Sequence, residues 1–192
     1  MYVIIGRTGD IETAVARAMA RFDEDRAVPR YKVRLSLDVT RTLAEHYQIP
    51  RENRRALAKN VKDWTGCEGG LDRYGIFYWT TSNPDGEWDW YIIGGRWDGY
   101  VHGQRTRRDP FEKHRAQDNV VTTEELLASP LIDRLPHGLV TPTGQWIARS
   151  GLSHTGLGYY FWETKLASWH RQVRRVLKAF PRHRIVCVDI HC

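Results

Sequence analysis

Five polar residues stand inside otherwise apolar runs of this 192-residue chain: Asp89, Arg96, Asp98, Asp189 and His191. Such a position costs folding free energy unless the polar group is paired. An internal salt bridge, Arg96 with Asp89 or Asp98, is one way to meet that condition. A ligand pocket is the other, with Arg96 donating two parallel hydrogen bonds to a phosphate or carboxylate. Trp88, Trp90 and Trp97 would then stack on a base or cap an apolar group. Gly94 and Gly95 would let backbone N–H groups approach the ligand. Asp89 completes this candidate ligand-binding set. For catalysis the candidate pair is Asp189 and His191, two residues apart on one strand face, where a carboxylate orients an imidazole as general base. A strand-end histidine near the surface is the structural alternative. Neither a nucleophile motif, a metal-ligand spacing nor a glycine-rich phosphate loop accompanies them, so no metal or cofactor is implied. Ser153-His154-Thr155-Gly156 does not fit the H-x-[ST] pattern of two-histidine phosphoesterases.

The element that must position these residues runs from Tyr74 to Tyr100 and holds nine of the chain's 22 aromatic residues. Tyr74 to Thr81 reads as a strand, Ser82-Asn83-Pro84-Asp85-Gly86 as a turn, and Trp88 to Ile93 as the returning strand. The spacing therefore predicts a β-hairpin. Alternation puts Trp88, Trp90 and Ile92 on one face and Asp89, Tyr91 and Ile93 on the other.

Around it, Tyr2 to Gly6 reads as a buried strand, followed by a helix capped at Asp10. Its GRTGD turn lacks both the P-loop and the dinucleotide fingerprint. Tyr31 to Ser36 reads as a short strand, and two helices follow, Leu37 to Gln48 and Arg51 to Trp64. The second carries Arg51, Arg55, Lys59 and Lys62 opposite its apolar stripe. Thr122-x-x-Glu125 fits a capping box. Leu139 to Arg149 reads as a hairpin turning at Pro142-Thr143-Gly144, and Ser150 to Gly158 as a loop. Leu166 to Phe180 is a strongly amphipathic helix, and Arg184 to Cys192 a terminal strand with Ile185, Cys187, Asp189 and His191 on one face. Strands and helices mix without a repeating βα unit. The expected fold is therefore α+β, a mixed or antiparallel sheet with β-hairpins packed against amphipathic helices. It forms a single domain over 1–192 with a polar, basic loop at about 101–120.

The formal net charge of +6 favours phosphate-bearing or acidic partners. Arg also outnumbers Lys 23 to 6, as in any protein of a GC-rich genome. Three cysteines, Cys67, Cys187 and Cys192, give neither a disulfide framework nor a zinc spacing. The first residues, MYVIIGRTGD, lack the basic region of a signal peptide. No apolar run approaches the ~20 residues of a membrane span. A cytoplasmic, reducing setting is expected.

Several segments in order resemble a family of uncharacterised proteins from actinobacteria and their phages. They are DWTG-x-EGG (Asp63 to Gly70), YWTT-x-NPDGEWDWYIIGGRWDGY (Tyr78 to Tyr100), LVTPTGQW (Leu139 to Trp146) and the terminal VDIHC. Glu87 stands where Lys is usual before WDWY, and His191 and Cys192 depart from the usual VVDCHI ending. The resemblance implies a bacterial or phage cytoplasmic setting and transfers no activity.

Three function classes remain. The leading expectation is an accessory protein that binds a nucleotide, a nucleotide-derived signal or nucleic acid through an Arg/Trp-rich pocket, in a phage setting as a counter to host defence. A hydrolase or transferase on a phosphorylated substrate, using His191 and Asp189, is the second. The third is a protein-interaction module or inhibitor docking through exposed aromatics.

Overall fold

The computed structural model describes residues 1–104, 115–133, 136–154 and 159–191, with 151–154 and 159–161 as backbone only. In chain order the elements are β1 (Tyr2–Ile5), α1 (Ile11–Met19), β2 (Tyr31–Arg34), α2 (Leu37–His46), α3 (Arg54–Lys59), α4 (Val61–Thr65), β3 (Gly69–Asp72), β4 (Gly75–Thr80), β5 (Trp90–Ile93), β6 (Val120–Thr122), α5 (Thr123–Ala128), β7 (Gly138–Val140), β8 (Trp146–Ala148), β9 (Ser150–His154), β10 (Tyr159–Glu163), α6 (Leu166–Ala179) and β11 (Arg184–His191). The class is α+β, as the mixture of periodicities implies. The single domain expected over 1–192 is organised as two compact units. One comprises Met1–Arg26, Asn83–Ser150 and Glu163–Cys192, the other Ala27–Ser82 and Gly151–Trp162.

The first unit is built on a six-stranded mixed sheet in the order β5-β11-β1-β7-β8, with β6 also on β11. Along one edge β11 meets β1 antiparallel, Cys187 opposite Tyr2. Along the other it meets β6 first, Ile185 opposite Val121, and then β5, Asp189 opposite Ile92 and His191 opposite Trp90. Strands buried on both faces read as continuous apolar runs, and YVII and IVCV are such runs. Val3, Ile5, Val186 and Val188 face α1, which packs Ile11, Val15 and Met19 on them. Tyr2, Ile4, Ile185 and Cys187 face α6, which brings Trp169, Val173 and Leu177. Both expected caps are present. Asp10 accepts from the Thr13 N–H at 2.7 Å, and Thr122 and Glu125 form a reciprocal capping box.

The expected hairpin between Tyr74–Thr81 and Trp88–Ile93 does not form. Its arms lie in different sheets: β4 pairs with β2 and β3, and β5 pairs with β11. The intervening turn instead ties to the end of the first helix, Asn83 donating to the carbonyls of Arg21 and Asp23 at 2.7 and 2.8 Å. The hairpin expected at Leu139 to Arg149 does form, as β7 and β8. Ser150–His154, expected as loop, is a strand paired with β10. The basic loop expected at about 101–120 falls largely on 105–114, outside the described residues. Short 3-10 turns, Tyr100–His102 and Ala116–Asn119, lie to either side.

In the second unit β2, β4 and β3 form an antiparallel sheet with β4 central. Helices α2, α3 and α4 cover one face through Leu43, Leu57 and Val61, packed on Ile76 and Tyr78. The helix expected over Arg51 to Trp64 is two helices. At the junction the Asn60 side chain donates back to the Ala56 carbonyl at 3.0 Å, a competition with the helical ladder that breaks the run. Arg51, Arg55, Lys59 and Lys62 are exposed, and Lys62 pairs with Glu68.

Candidate functional site

Strand β5 ends at Ile93, and Gly94 and Gly95 take φ values of +80° and +54°. A side chain at Gly95 would stand 2.6 Å from Asp189 Cβ and 2.8 Å from Ile92 Cγ2, so only glycine fits. The close approach drops the next residue onto Asp189. The Arg96 backbone N–H donates to Oδ2 at 3.0 Å, Nε to Oδ2 at 2.7 Å and Nη2 to Oδ1 at 2.6 Å. The Asp189 side chain is 2% exposed and that of Arg96 47%. Burial alone would raise the carboxyl pKa, but the Arg96 hydrogen bonds outweigh it and hold Asp189 below its ordinary value. The guanidinium is raised in turn by its hydrogen bonds to Asp189. Arg96 thus makes an internal salt bridge, with Asp189 rather than Asp89 or Asp98. The two donors that would grip a ligand are already engaged.

Asp98 is buried and accepts from Asn119 Nδ2 at 2.8 Å, while Asn119 Oδ1 accepts from the Gly99 N–H at 2.9 Å. Asn119 is fully buried and fixes the turn that follows Trp97. Sequence reasoning missed it, because an Asn at the end of a polar run looks like any solvated residue.

Strand alternation places Asp189 and His191 on one face, yet they find different partners. Both Asp89 carboxylate oxygens lie 2.9 Å from His191 Nδ1. The pairing follows from register, since β5 and β11 bring Trp90 opposite His191 and Asp89 next to it. The imidazole also stacks on Trp90, with ring centroids 5.8 Å apart and planes 5° off parallel. The carboxylate that orients His191 is therefore Asp89, and the expected Asp189–His191 dyad is corrected accordingly.

The three tryptophans expected to form one wall separate. Trp88 is in the core on the α1 side, its Nε1 donating to the Met19 carbonyl at 3.0 Å and its ring edge-to-face with Tyr91. Trp90 is half-buried against His191. Trp97 is 45% exposed and meets Tyr100 edge-to-face, centroids 5.6 Å apart.

Trp97 and Tyr100 instead border a cavity of about 460 Å³ that sequence reasoning did not anticipate. Trp169 and Cys187 form part of its floor, and Leu166, exposed, part of its lip. Arg149, His137, His170 and Asp133 supply its polar lining, with Asp133 3.8 Å from His170 Nδ1 and paired with Arg174 at 3.0 Å. Trp169 is fixed by a 2.9 Å bond from Nε1 to the Pro136 carbonyl. His137 is held by the Arg149 N–H, which donates to its carbonyl at 2.8 Å. Burial lowers the His137 pKa, so its imidazole is neutral near pH 7. Burial pushes the Cys187 thiol up to about 11, which removes it as a nucleophile. Arg149 Nη2 pairs with Glu163 at 2.7 Å, while its Nε is buried with no hydrogen-bond partner among the described residues. The signal for Arg149 was its place directly after β8, which carries nothing by itself. A second, more open depression of about 470 Å³ lies beside Arg21, Asp85 and Trp146 and is mainly polar.

Among the described residues no three His, Cys, Asp or Glu side chains group as metal ligands, and no helix is long and apolar enough to cross a membrane. Comparison with family models, curated proteins and solved structures finds no match to the chain.

Proposed function

We propose that the protein is a phage or bacterial accessory protein that binds a nucleotide or nucleotide-derived signal in the cavity bordered by Trp97, Tyr100 and Arg149. The observation that carries this reading is the meeting, at one concavity, of a large exposed indole and an arginine whose Nε has no hydrogen-bond partner among the described residues. Its volume of about 460 Å³ suits a ligand of nucleotide size. A base would lie on the Trp97 ring. Its phosphate would take up Arg149, with His170 beside it. Of the pocket expected from the sequence, the aromatic wall keeps Trp97, and the cation becomes Arg149, whose partner Glu163 is 48% exposed, whereas Arg96 is held by the buried Asp189. Sequestering a host-defence signal is the role this reading assigns to such a pocket. The interaction-module alternative has less support. Trp97 is the only large exposed tryptophan among the described residues, and it borders a cavity rather than an open patch.

Calorimetry with mononucleotides, cyclic mononucleotides and cyclic dinucleotides tests the reading. Binding is expected for at least one class, with a loss of about 10-fold or more in Trp97→Ala and in Arg149→Gln. Equal affinity in both folded variants, or no binding by any class at 50 mM salt, overturns it.

A further inference from the structure

The second unit carries a surface of a different kind. Among the described residues its three-stranded sheet has helices on one face only, through Ile76 and Tyr78 of β4. Alternation sends Phe77 and Trp79 to the other face. Register sets Lys32 opposite Trp79 and Arg34 opposite Phe77, and Gly70, with no side chain, on the far side of Phe77. The two rings, both half-buried, lie edge-to-face with centroids 6.1 Å apart. Lys32 Nζ stands 3.9 Å from the Phe77 centroid and 5.3 Å from that of Trp79, and the Arg30 guanidinium 5.2 Å from Trp79. At the β3–β4 turn Tyr74 is 65% exposed, with Arg34 and Arg73 over its ring at 4.8 and 4.4 Å. Four cations thus surround three aromatic rings.

One carboxylate sits among them. Asp72 accepts from Lys32 at 3.0 Å and from both Arg34 terminal nitrogens at 2.7 and 3.0 Å. It holds those two side chains along the sheet and leaves the cluster with an excess of positive charge. The excess belongs to this segment as a whole. Residues 27–82 hold ten Lys and Arg against six Asp and Glu, a net +4 of the chain's +6.

We infer that this face is a binding platform for single-stranded nucleic acid. Trp79 offers a ring to one unstacked base, and Phe77, two residues and about 7 Å along the strand, takes the next as Lys32 Nζ moves from its face to a phosphate. Stacking is sequence-tolerant, because every base has a π-face, and the flanking Arg30, Lys32, Arg34 and Arg73 meet the phosphates. A duplex, whose bases are stacked away inside, uses the charge but not the rings. A peptide of acidic character would use the charge alone as well. The site is separate from the cavity beside Trp97, lies wholly in the second unit and stands or falls independently of it.

Fluorescence anisotropy of labelled 12-nucleotide single-stranded DNA and RNA, with the matching duplexes and a poly-glutamate peptide as competitors, tests the inference on the full chain. Tighter binding of single strands than duplex is expected, with log K falling against log salt at a slope of about −3, as for about four phosphate contacts. Trp79→Ala should weaken binding about 10-fold. Arg30→Gln, an exposed position that does not threaten the fold, should make the slope shallower by about 0.7. Lys178→Gln, which removes a charge from the exposed side of α6, should change neither. A difference between the DNA and RNA arms assigns the sugar. Duplex or poly-glutamate competing as well as single strands, an unaltered slope in Arg30→Gln, or no binding at 50 mM salt overturns the inference. If Trp79→Ala does not fold, Arg30→Gln and the competition decide.

Discussion

Arg96 and Asp189 lie 93 residues apart in the chain and are joined by three hydrogen bonds, two from the guanidinium and one from the Arg96 backbone. The pair fastens the turn after β5 to the last buried residue of β11. Removing the arginine leaves a carboxylate that is 2% exposed without its countercharge. Arg96→Ala is expected to cost about 3 kcal/mol, the low end for breaking a buried pair, because the guanidinium itself is partly in water. Urea unfolding monitored by circular dichroism measures it.

The same pair predicts a pH dependence. Asp189 is held below its ordinary pKa in the folded protein. The stability it contributes is therefore complete above the unfolded-state value of about 3.9 and is lost as pH falls from there through the folded-state value. Asp189→Asn lacks this component. The stability difference between wild type and variant should be constant from pH 5 to 7 and shrink below about pH 4. A difference that grows on acidification would contradict the assignment.

Gly95 combines a positive φ with contact to Asp189, whereas Gly66, φ +72°, ends α4 where an added β-carbon would meet nothing within 4 Å. Gly66→Ala should cost about 1 kcal/mol, the backbone term alone. Gly95→Ala adds an overlap with Asp189 and should cost about 2–4 kcal/mol. Equal losses in thermal or urea unfolding would mean that the close approach to Asp189 carries no weight.

These positions also mark what the sequence discloses. Local signals came through: the Asp10 cap, the Thr122–Glu125 capping box and the amphipathic α6 each depend on residues within a turn or two. An apolar run marked Tyr2 to Gly6 as a buried strand, and β1 is buried along its length. Strand alternation correctly put Cys187 and Asp189 on one face, yet alternation says nothing about the neighbouring strand. Whether Asp89 or Asp189 meets His191 is set by the register of β5 against β11, a pairing across about 100 residues. The Trp-rich hairpin failed for the same reason. Two strands joined by a turn signal pair by default, but here each finds a better partner, β4 between β2 and β3 and β5 on β11. The cavity beside Trp97 was illegible because Trp97, Arg149 and His170 come from three separate segments.

The tryptophans, alike in the sequence, should behave differently on substitution. Trp88 is buried, and its indole N–H satisfies a buried carbonyl. Trp88→Ala should cost about 3–5 kcal/mol through the void and the orphaned acceptor. Trp97 is 45% exposed, and Trp97→Ala should cost less than about 1.5 kcal/mol while weakening nucleotide binding. Parallel denaturation curves of the two variants separate core from site.

The Asp89–His191 pair offers a sharper choice between structure and chemistry. The imidazole side chain is 60% exposed and the carboxylate 34%, so the pair is worth less than about 1 kcal/mol as a surface contact. His191→Ala should therefore change the urea midpoint little. With Nδ1 held by Asp89, Nε2 is the nitrogen turned to other partners, the arrangement a general base requires. If the protein turns over a phosphorylated substrate, His191→Ala abolishes turnover with stability intact, and Asp89→Asn lowers kcat by disturbing the orientation of the ring. In a binding protein without turnover, both variants keep nucleotide affinity, because neither residue borders the cavity beside Trp97. Measuring phosphate release and affinity on the same two variants distinguishes the outcomes, since loss of turnover at unchanged affinity belongs to the enzyme alone.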